Sequence, residues 1–188
     1  MMNKQQVIAK WSGEKGKRLV YPGSVVWPDD DCVSLIQKMC GSGSICEVGC
    51  GTGRVASAFQ PQQYVGVDIN ETAIQKAKED LPSHSFRVID WDDDLPEADV
   101  YLFYTVLLHC PDEELSAVIG RCLRGKRVVV FESMSHKSRQ IGNEFQRDLE
   151  QYEAAFLIYG WRLCYHKRLL SNYFPHFRDY AIFGKGEE

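Results

Sequence analysis

The run Glu47-Val48-Gly49-Cys50-Gly51-Thr52-Gly53 is the strongest chemical signal in the chain. Its three alternate glycines let a backbone turn tightly and approach a ligand closely. The run follows a short β-leaning stretch, Ser44 to Val48, and precedes a helix-like stretch to Phe59. A glycine turn in that place is where parallel sheets bind ligands; the alternative is a turn that holds nothing. Other polar residues close apolar runs in the same way. Asp68 follows VGV, Tyr104 ends VYLFY with Thr105 next, and Glu132 and Ser133 follow VVVF. Glu132 and Ser133 either touch a substrate or cap the turn after them. His109 either accepts a proton from a substrate hydroxyl or amine, or orders the turn before Pro111. Tyr104 either faces the reaction or closes the core with its amphipathic ring.

These residues need a scaffold that brings strand ends together. A helix capped by Asp29 to Asp31 reaches about Met39. Strands are expected at 44–48, 64–67, 86–89, 99–104 and 127–131. Helices are expected from Asn70 to Lys78, from Asp112 to Leu123 and from Ile141 to Tyr159. Two late strands, near 161–168 and 178–183, have no helix between them. Alternating strands and helices imply a parallel sheet covered on both faces. The runs VGV, VVVF and VYLFY suit strands buried on both sides. A closing hairpin makes one late strand antiparallel. The expected fold is α/β: a doubly wound, mostly parallel, seven-stranded sheet with a late antiparallel strand. Its ligands would bind outside the carboxyl ends of the strands.

EVGCGTG resembles motif I of the class I S-adenosylmethionine-dependent methyltransferases. The likeness extends to Val65-Gly66-Val67-Asp68-Ile69, to Val88-Ile89-Asp90-Trp91, to Phe103–His109 and to Tyr152–Arg162. Together these cover about residues 44–183. The resemblance implies a Rossmann-like methyltransferase fold and S-adenosylmethionine as cofactor, with S-adenosylhomocysteine as product. It implies cofactor contacts from Glu47, Gly49, Cys50, Gly51, Gly53, Asp68, Ile69, Asp90, Trp91, Tyr104 and Thr105. Asp90 would accept from the adenine amino group, and Trp91 would cover the ring edge. Asp68 would accept both ribose hydroxyls, a geometry that a neutral side chain copies poorly; Asn70 is better placed than Asp68 to cap the next helix. Transfer to an O, N or S atom of a small acceptor is the expected reaction. His109 and Tyr104 are the catalytic candidates, although orienting an already nucleophilic acceptor can suffice.

Two rivals share the fold. One is a module that holds the cofactor without transferring a methyl group. The other is a short NAD-linked oxidoreductase, because Gly51-x-Gly53-x-x-Ala56 also fits a dinucleotide pattern. Electrostatics separates the cofactors. A pyrophosphate at the turn wants no carboxylate nearby, whereas Glu47 favours an ammonium and a sulfonium.

The 188 residues suffice for one domain with its own core. The 22 basic and 26 acidic side chains give a net charge of −4, which argues against bulk attraction to nucleic acid. No apolar run is long enough to span a bilayer. The seven cysteines show no metal-binding spacing and read as reduced thiols, so no metal and a cytoplasmic location are expected. Residues 1–28 differ from the rest in their glycines, prolines, two tryptophans and the cluster Lys15, Lys17, Arg18. They form a candidate lid, with Trp11, Arg18 and Tyr21 in it and Arg18 meeting the methionine carboxylate. Residues 29–188 would be the catalytic domain.

Overall fold

The protein is described by a computed structural model over residues 3–12, 30–132, 134, 139–141, 144–170 and 177–185. Arg18, Tyr21 and Ser133 lie outside the described residues. The seven expected strands are present as one sheet. They are β1 (Ile45–Val48), β2 (Tyr64–Asp68), β3 (Ser85–Val88), β4 (Val100–Tyr104), β5 (Arg127–Glu132), β8 (Trp161–Leu170) and β9 (Phe177–Lys185). Their order is β3-β2-β1-β4-β5-β9-β8. The first five are parallel, and β9 runs antiparallel to both β5 and β8. The order reverses between β1 and β4, so a crevice opens where their carboxyl ends diverge.

The central strands are apolar because both faces are covered. All five residues of β4 are buried. On one face Ile45, Leu102, Val129 and Phe131 meet Ile36 and Met39 of helix α2 (Asp30–Cys40) and Ile74 and Ala77 of α3 (Glu71–Asp80). On the other, Tyr101, Phe103, Val128 and Val130 meet Leu115, Val118 and Ile119 of α4 (Asp112–Gly120) and Tyr152 and Phe156 of α5 (Leu149–Leu157). Alternation along each strand sends successive side chains to opposite layers.

Two expected helices differ. The stretch after the glycine run forms turns and a short 3₁₀ segment, Ala56–Ala58, instead of an α-helix. Gly53 at φ +78° and Pro61 leave only seven residues between them. The Gln37 side chain also donates to the Ala58 carbonyl, which suits a tight turn docked on α2. The expected helix over 141–159 begins only at Leu149. Before it, β6 (Arg139–Ile141) and β7 (Glu144–Gln146) pair as a separate two-stranded hairpin. Asp148 starts the helix with a capping box: its carboxylate accepts from Gln151 N–H at 2.9 Å, and the Gln151 side chain accepts from Asp148 N–H at 3.1 Å.

Candidate cofactor site

The glycine run is tied to β2 through its backbone. Gly49 and Cys50 N–H both donate to the Val67 carbonyl, at 2.8 and 3.0 Å. Gly49 has φ +72°, and a Cβ there would stand 2.2 Å from Val106 Cγ2. Only glycine lets the loop after β1 approach the loop after β4 so closely. Gly51 has φ +55°, yet a Cβ on it would meet no atom within 4 Å. The loop therefore presents bare backbone to open space, as a ligand cradle requires.

Asp68 stands beside that space and is only half-buried. Its Oδ2 accepts from Gly51 N–H and its Oδ1 from Asn70 N–H, each at 2.8 Å. Asn70 itself caps α3, its side-chain oxygen accepting from Ala73 N–H at 3.1 Å. The cap and the strand-end acid are thus separate residues, as expected. Burial raises the Asp68 pKa, opposed by backbone N–H groups of Asn70, Gly51 and Ile69 and by the charge of Arg54. A carboxylate offers about four acceptor positions, so lone pairs remain for hydroxyl donors.

Ile69 is half-buried beside Asp68. The Ile89 N–H donates to the Asp68 carbonyl at 3.1 Å, which draws the end of β3 alongside. The exposed Asp90 follows, in a turn where its N–H donates to Asp93 Oδ2 at 2.8 Å. Trp91 packs on the core edge, with Nε1 donating to Glu114 Oε2 at 3.3 Å.

Two residues of the glycine run act differently from an open contact. The Cys50 thiol is buried, and burial first of all drives its pKa well above the ordinary thiol value. Only its backbone faces the loop's work. Glu47 is also buried, with its carboxylate on the Tyr64 hydroxyl. Burial pushes its pKa up to about 7, against the Tyr64 hydrogen bond and the Arg54 charge. Glu47 therefore acts on the loop through its field and not as an exposed ligand.

Tyr104 is buried too, its ring 5.3 Å from the Phe131 ring. Arg54 lies over it, Cζ 5.0 Å from the ring centroid, and donates from Nη2 to Thr105 Oγ1 at 3.0 Å. Thr105 holds φ +55°, a strained value for a β-branched residue, and its N–H donates to the Phe131 carbonyl at 2.8 Å. The next residues are gripped from β5. Glu132, wholly buried, accepts from Val106 and Leu107 N–H at 2.7 and 2.6 Å. Arg147 holds the same loop from behind, donating to the Leu107 carbonyl (2.9 Å), the Cys110 carbonyl (2.6 Å) and Asp112 Oδ1 (2.8 Å). Glu132 thus fixes the turn after β4, whereas the sequence suggested that it caps the turn after its own strand.

His109 belongs to a second group. Its ring lies 4.6 Å from that of Trp11, on helix α1 (Lys4–Ser12). Lys4 at the other end of α1 pairs with Asp92 and, at 3.5 Å, with Glu114. Helix α1 thereby joins the Asp90–Trp91 turn to the His109 turn. Arg54 and Arg147 were missed in the sequence. Arg54 follows the last glycine of the run, which is a signal in hindsight; a buried arginine in a presumed helix offers none.

A family model for a methyltransferase domain matches residues 45–127. The indolepyruvate C-methyltransferase of Streptomyces griseus is 26% identical over 147 aligned residues, covering 68% of this chain and 42% of that protein. The chain thus spans less than half the length of this curated relative. Among solved structures, magnesium protoporphyrin IX methyltransferase from Synechocystis PCC 6803, with bound S-adenosylmethionine, superposes with a TM-score of 0.73. It is 15% identical, over 99% of this chain and 98% of that one. Human N-acetylserotonin methyltransferase, also with bound S-adenosylmethionine, gives 0.60 at 20% identity, over 97% of this chain and 55% of that one. These likenesses establish the methyltransferase fold. No helix among the described residues is long and apolar enough to cross a membrane.

Proposed function

We propose that this methyltransferase domain binds S-adenosylmethionine along the carboxyl ends of β1 to β4 and transfers its methyl group to a small acceptor. One observation carries the reading. Gly51 offers bare backbone to open space while its N–H is fixed on Asp68, whose carboxylate keeps acceptor capacity. A nucleoside with a vicinal diol fits that pair. Asp68 accepts its hydroxyls, Ile69 and Trp91 flank the base, and the exposed Asp90 accepts from the amino group.

When bound, the cofactor supplies an electrophilic methyl on a sulfonium. Asp68 makes the pocket floor negative, and the buried Glu47 adds to that field as it ionises, which suits a cationic ligand and disfavours a pyrophosphate. Gly49, Gly51 and Gly53 let the backbone close on the ligand. Thr105 and Tyr104 form the wall at the reacting end, and His109 is the candidate proton acceptor. Helix α1 is the described part of the proposed lid, docked through Lys4 and Trp11; residues 13–28 lie outside the described residues. The similar proteins are named for small-molecule acceptors, including indolepyruvate and a porphyrin, and support the same class here. The Streptomyces enzyme is named for transfer to carbon, which adds carbon to oxygen, nitrogen and sulfur as candidate atoms. A cytoplasmic, reduced setting suits the buried thiols of Cys40, Cys46, Cys110 and Cys122.

The test is transfer of labelled methyl from S-adenosylmethionine to a panel of keto acids, phenols, amines and thiols, with S-adenosylhomocysteine as competitor. Competed label in any acceptor supports the enzyme. A cofactor that binds while every acceptor class stays unlabelled favours the non-catalytic module.

A further inference from the structure

We infer that Asp179 of β9 is a positioning residue for the loop after β4: it occupies two cationic side chains of β8 and so leaves Glu132 to grip that loop. Its bearing on methyl transfer rests on the functional reading above, in which the loop carries Thr105 and His109.

Asp179 and Glu132 are both wholly buried and stand directly opposite each other in the β5–β9 pair. Val130 and Ala181, two residues from each acid, lie in the layer of α4 and α5, so both carboxyl groups project to that side. Side chains so paired have Cβ atoms about 4.5–5.5 Å apart, and like charges there repel. The two acids meet different partners. Asp179 Oδ1 accepts from His166 Nε2 at 2.9 Å and from Arg168 Nε at 3.0 Å, and its Oδ2 accepts from Arg168 Nη2 at 3.3 Å. Glu132 Oε1 accepts from the backbone N–H groups of Val106 and Leu107, at 2.7 and 2.6 Å.

An irregularity in β8 delivers the cations. The β8–β9 register shifts between Leu163 and Tyr165. Leu163 packs in the layer of α4 and α5, whereas the Tyr165 ring stacks 5.8 Å from Tyr180, which belongs to the opposite layer. In a regular strand, residues two apart would share a face. The extra residue, Cys164, turns His166 and Arg168 to the side of Asp179, as a bulge re-aims side chains.

Val106 carries the effect onward. Glu132 fixes its N–H, and its side chain fills the space that a Cβ on Gly49 would need. The loop after β4 is thereby set against the glycine run. Without the Asp179 charge, Glu132 is the carboxylate directly across the strand pair from where the cations gather. A guanidinium bonds a carboxylate more strongly than neutral N–H groups do, so Glu132 would be drawn off the loop.

Backbone hydrogen exchange of the ligand-free protein, followed by NMR at about pH 8, tests this separately from the cofactor reading; an ordinary histidine is uncharged there. Asp179→Asn keeps the shape and one acceptor oxygen but loses the charge. It is expected to speed exchange of Val106 and Leu107 N–H about tenfold relative to Leu102 N–H within β4. The double variant Asp179→Asn/Arg168→Met removes both charges, and should bring the two rates back to within about threefold of the wild type. A residue that only braced the β8–β9 hairpin would not be rescued by losing its partner as well. Val106 and Leu107 rates that merely follow Leu102, or a double variant as fast as the single one, would overturn the assignment. A second measurement needs no variant. In the wild type, scalar coupling across the hydrogen bonds should join Val106 and Leu107 N–H to the Glu132 carboxylate carbon, and Arg168 Nε–H to that of Asp179. The absence of either set would also overturn it. Neither measurement uses the cofactor, so a failure to bind S-adenosylhomocysteine would strike the functional reading and not the loop assignment.

Discussion

Gly51 N–H donates to the Asp68 carboxylate across 2.8 Å, so the glycine loop and the acid at the end of β2 form one unit. Asp68 is therefore a structural acceptor as well as the proposed ligand group. Asp68→Ala removes the partners of both Gly51 and Asn70 N–H. It should lower stability by about 2 kcal/mol in urea unfolding, in addition to weakening cofactor binding. Asp68→Asn, which keeps one acceptor oxygen, should recover part of that stability. A variant with alanine and an unchanged urea midpoint would show that the loop does not lean on the acid.

Glu132 and Arg147 hold the loop after β4 from opposite sides. Glu132→Ala leaves Val106 and Leu107 N–H without that acceptor in a buried setting. The expected cost is about 3 kcal/mol, read from urea unfolding. Arg147→Met should cost a similar amount by freeing the Leu107 and Cys110 carbonyls. Full stability in both variants would contradict this view of the loop.

Glu47 predicts a pH dependence of definite sign. Its pKa rises from 4.5 to about 7 on folding, mainly through burial. Between those values the folded carboxyl keeps a proton that the unfolded chain has released. The folded state then binds more protons, so stability falls as pH rises through this window and levels off above about 7. Relative to Glu47→Gln, the wild type should lose stability from pH 5 to pH 7.5 in parallel urea titrations. A wild type that gains stability over that range relative to the variant would reverse the assignment.

Trp11 packs against His109, and the proposed lid would use this contact to hold α1 over the site's second group of residues. Trp11→Ala should speed the release of S-adenosylhomocysteine by about tenfold in stopped-flow chase. The urea midpoint of the sheet core should move little. An unchanged release rate would remove α1 from the lid.

The sheet was readable because its strands are doubly buried. Runs such as VYLFY and VVVF leave one interpretation once helices alternate with them. The placement of the glycine run and Asp68 was readable because it depends on backbone freedom and strand-end position, both visible in sequence. The segment after Gly53 was not, since its helix-like composition is overruled by Gly53 and Pro61 and by the Gln37 contact. The hairpin before α5 was hidden in a different way. Phe145 and Arg147 are both buried, a period-two pattern too short to outweigh the helical run that follows. Asp148-x-x-Gln151 was its one local sign. Glu47 could be placed at the turn, but only the Tyr64 hydroxyl shows that its carboxylate faces inward. Arg54 escaped notice because its role arises from Tyr104 and Thr105, about fifty residues away in the chain.

The central claim is that the Gly51–Asp68 unit holds S-adenosylmethionine. Calorimetric titration of the purified protein with S-adenosylhomocysteine, alongside NAD(H), tests it most directly. The account predicts saturable one-to-one binding of S-adenosylhomocysteine in the range of about 1–100 μM and no heat from NAD(H). A folded protein that binds NAD(H), or that leaves S-adenosylhomocysteine unbound, would contradict it.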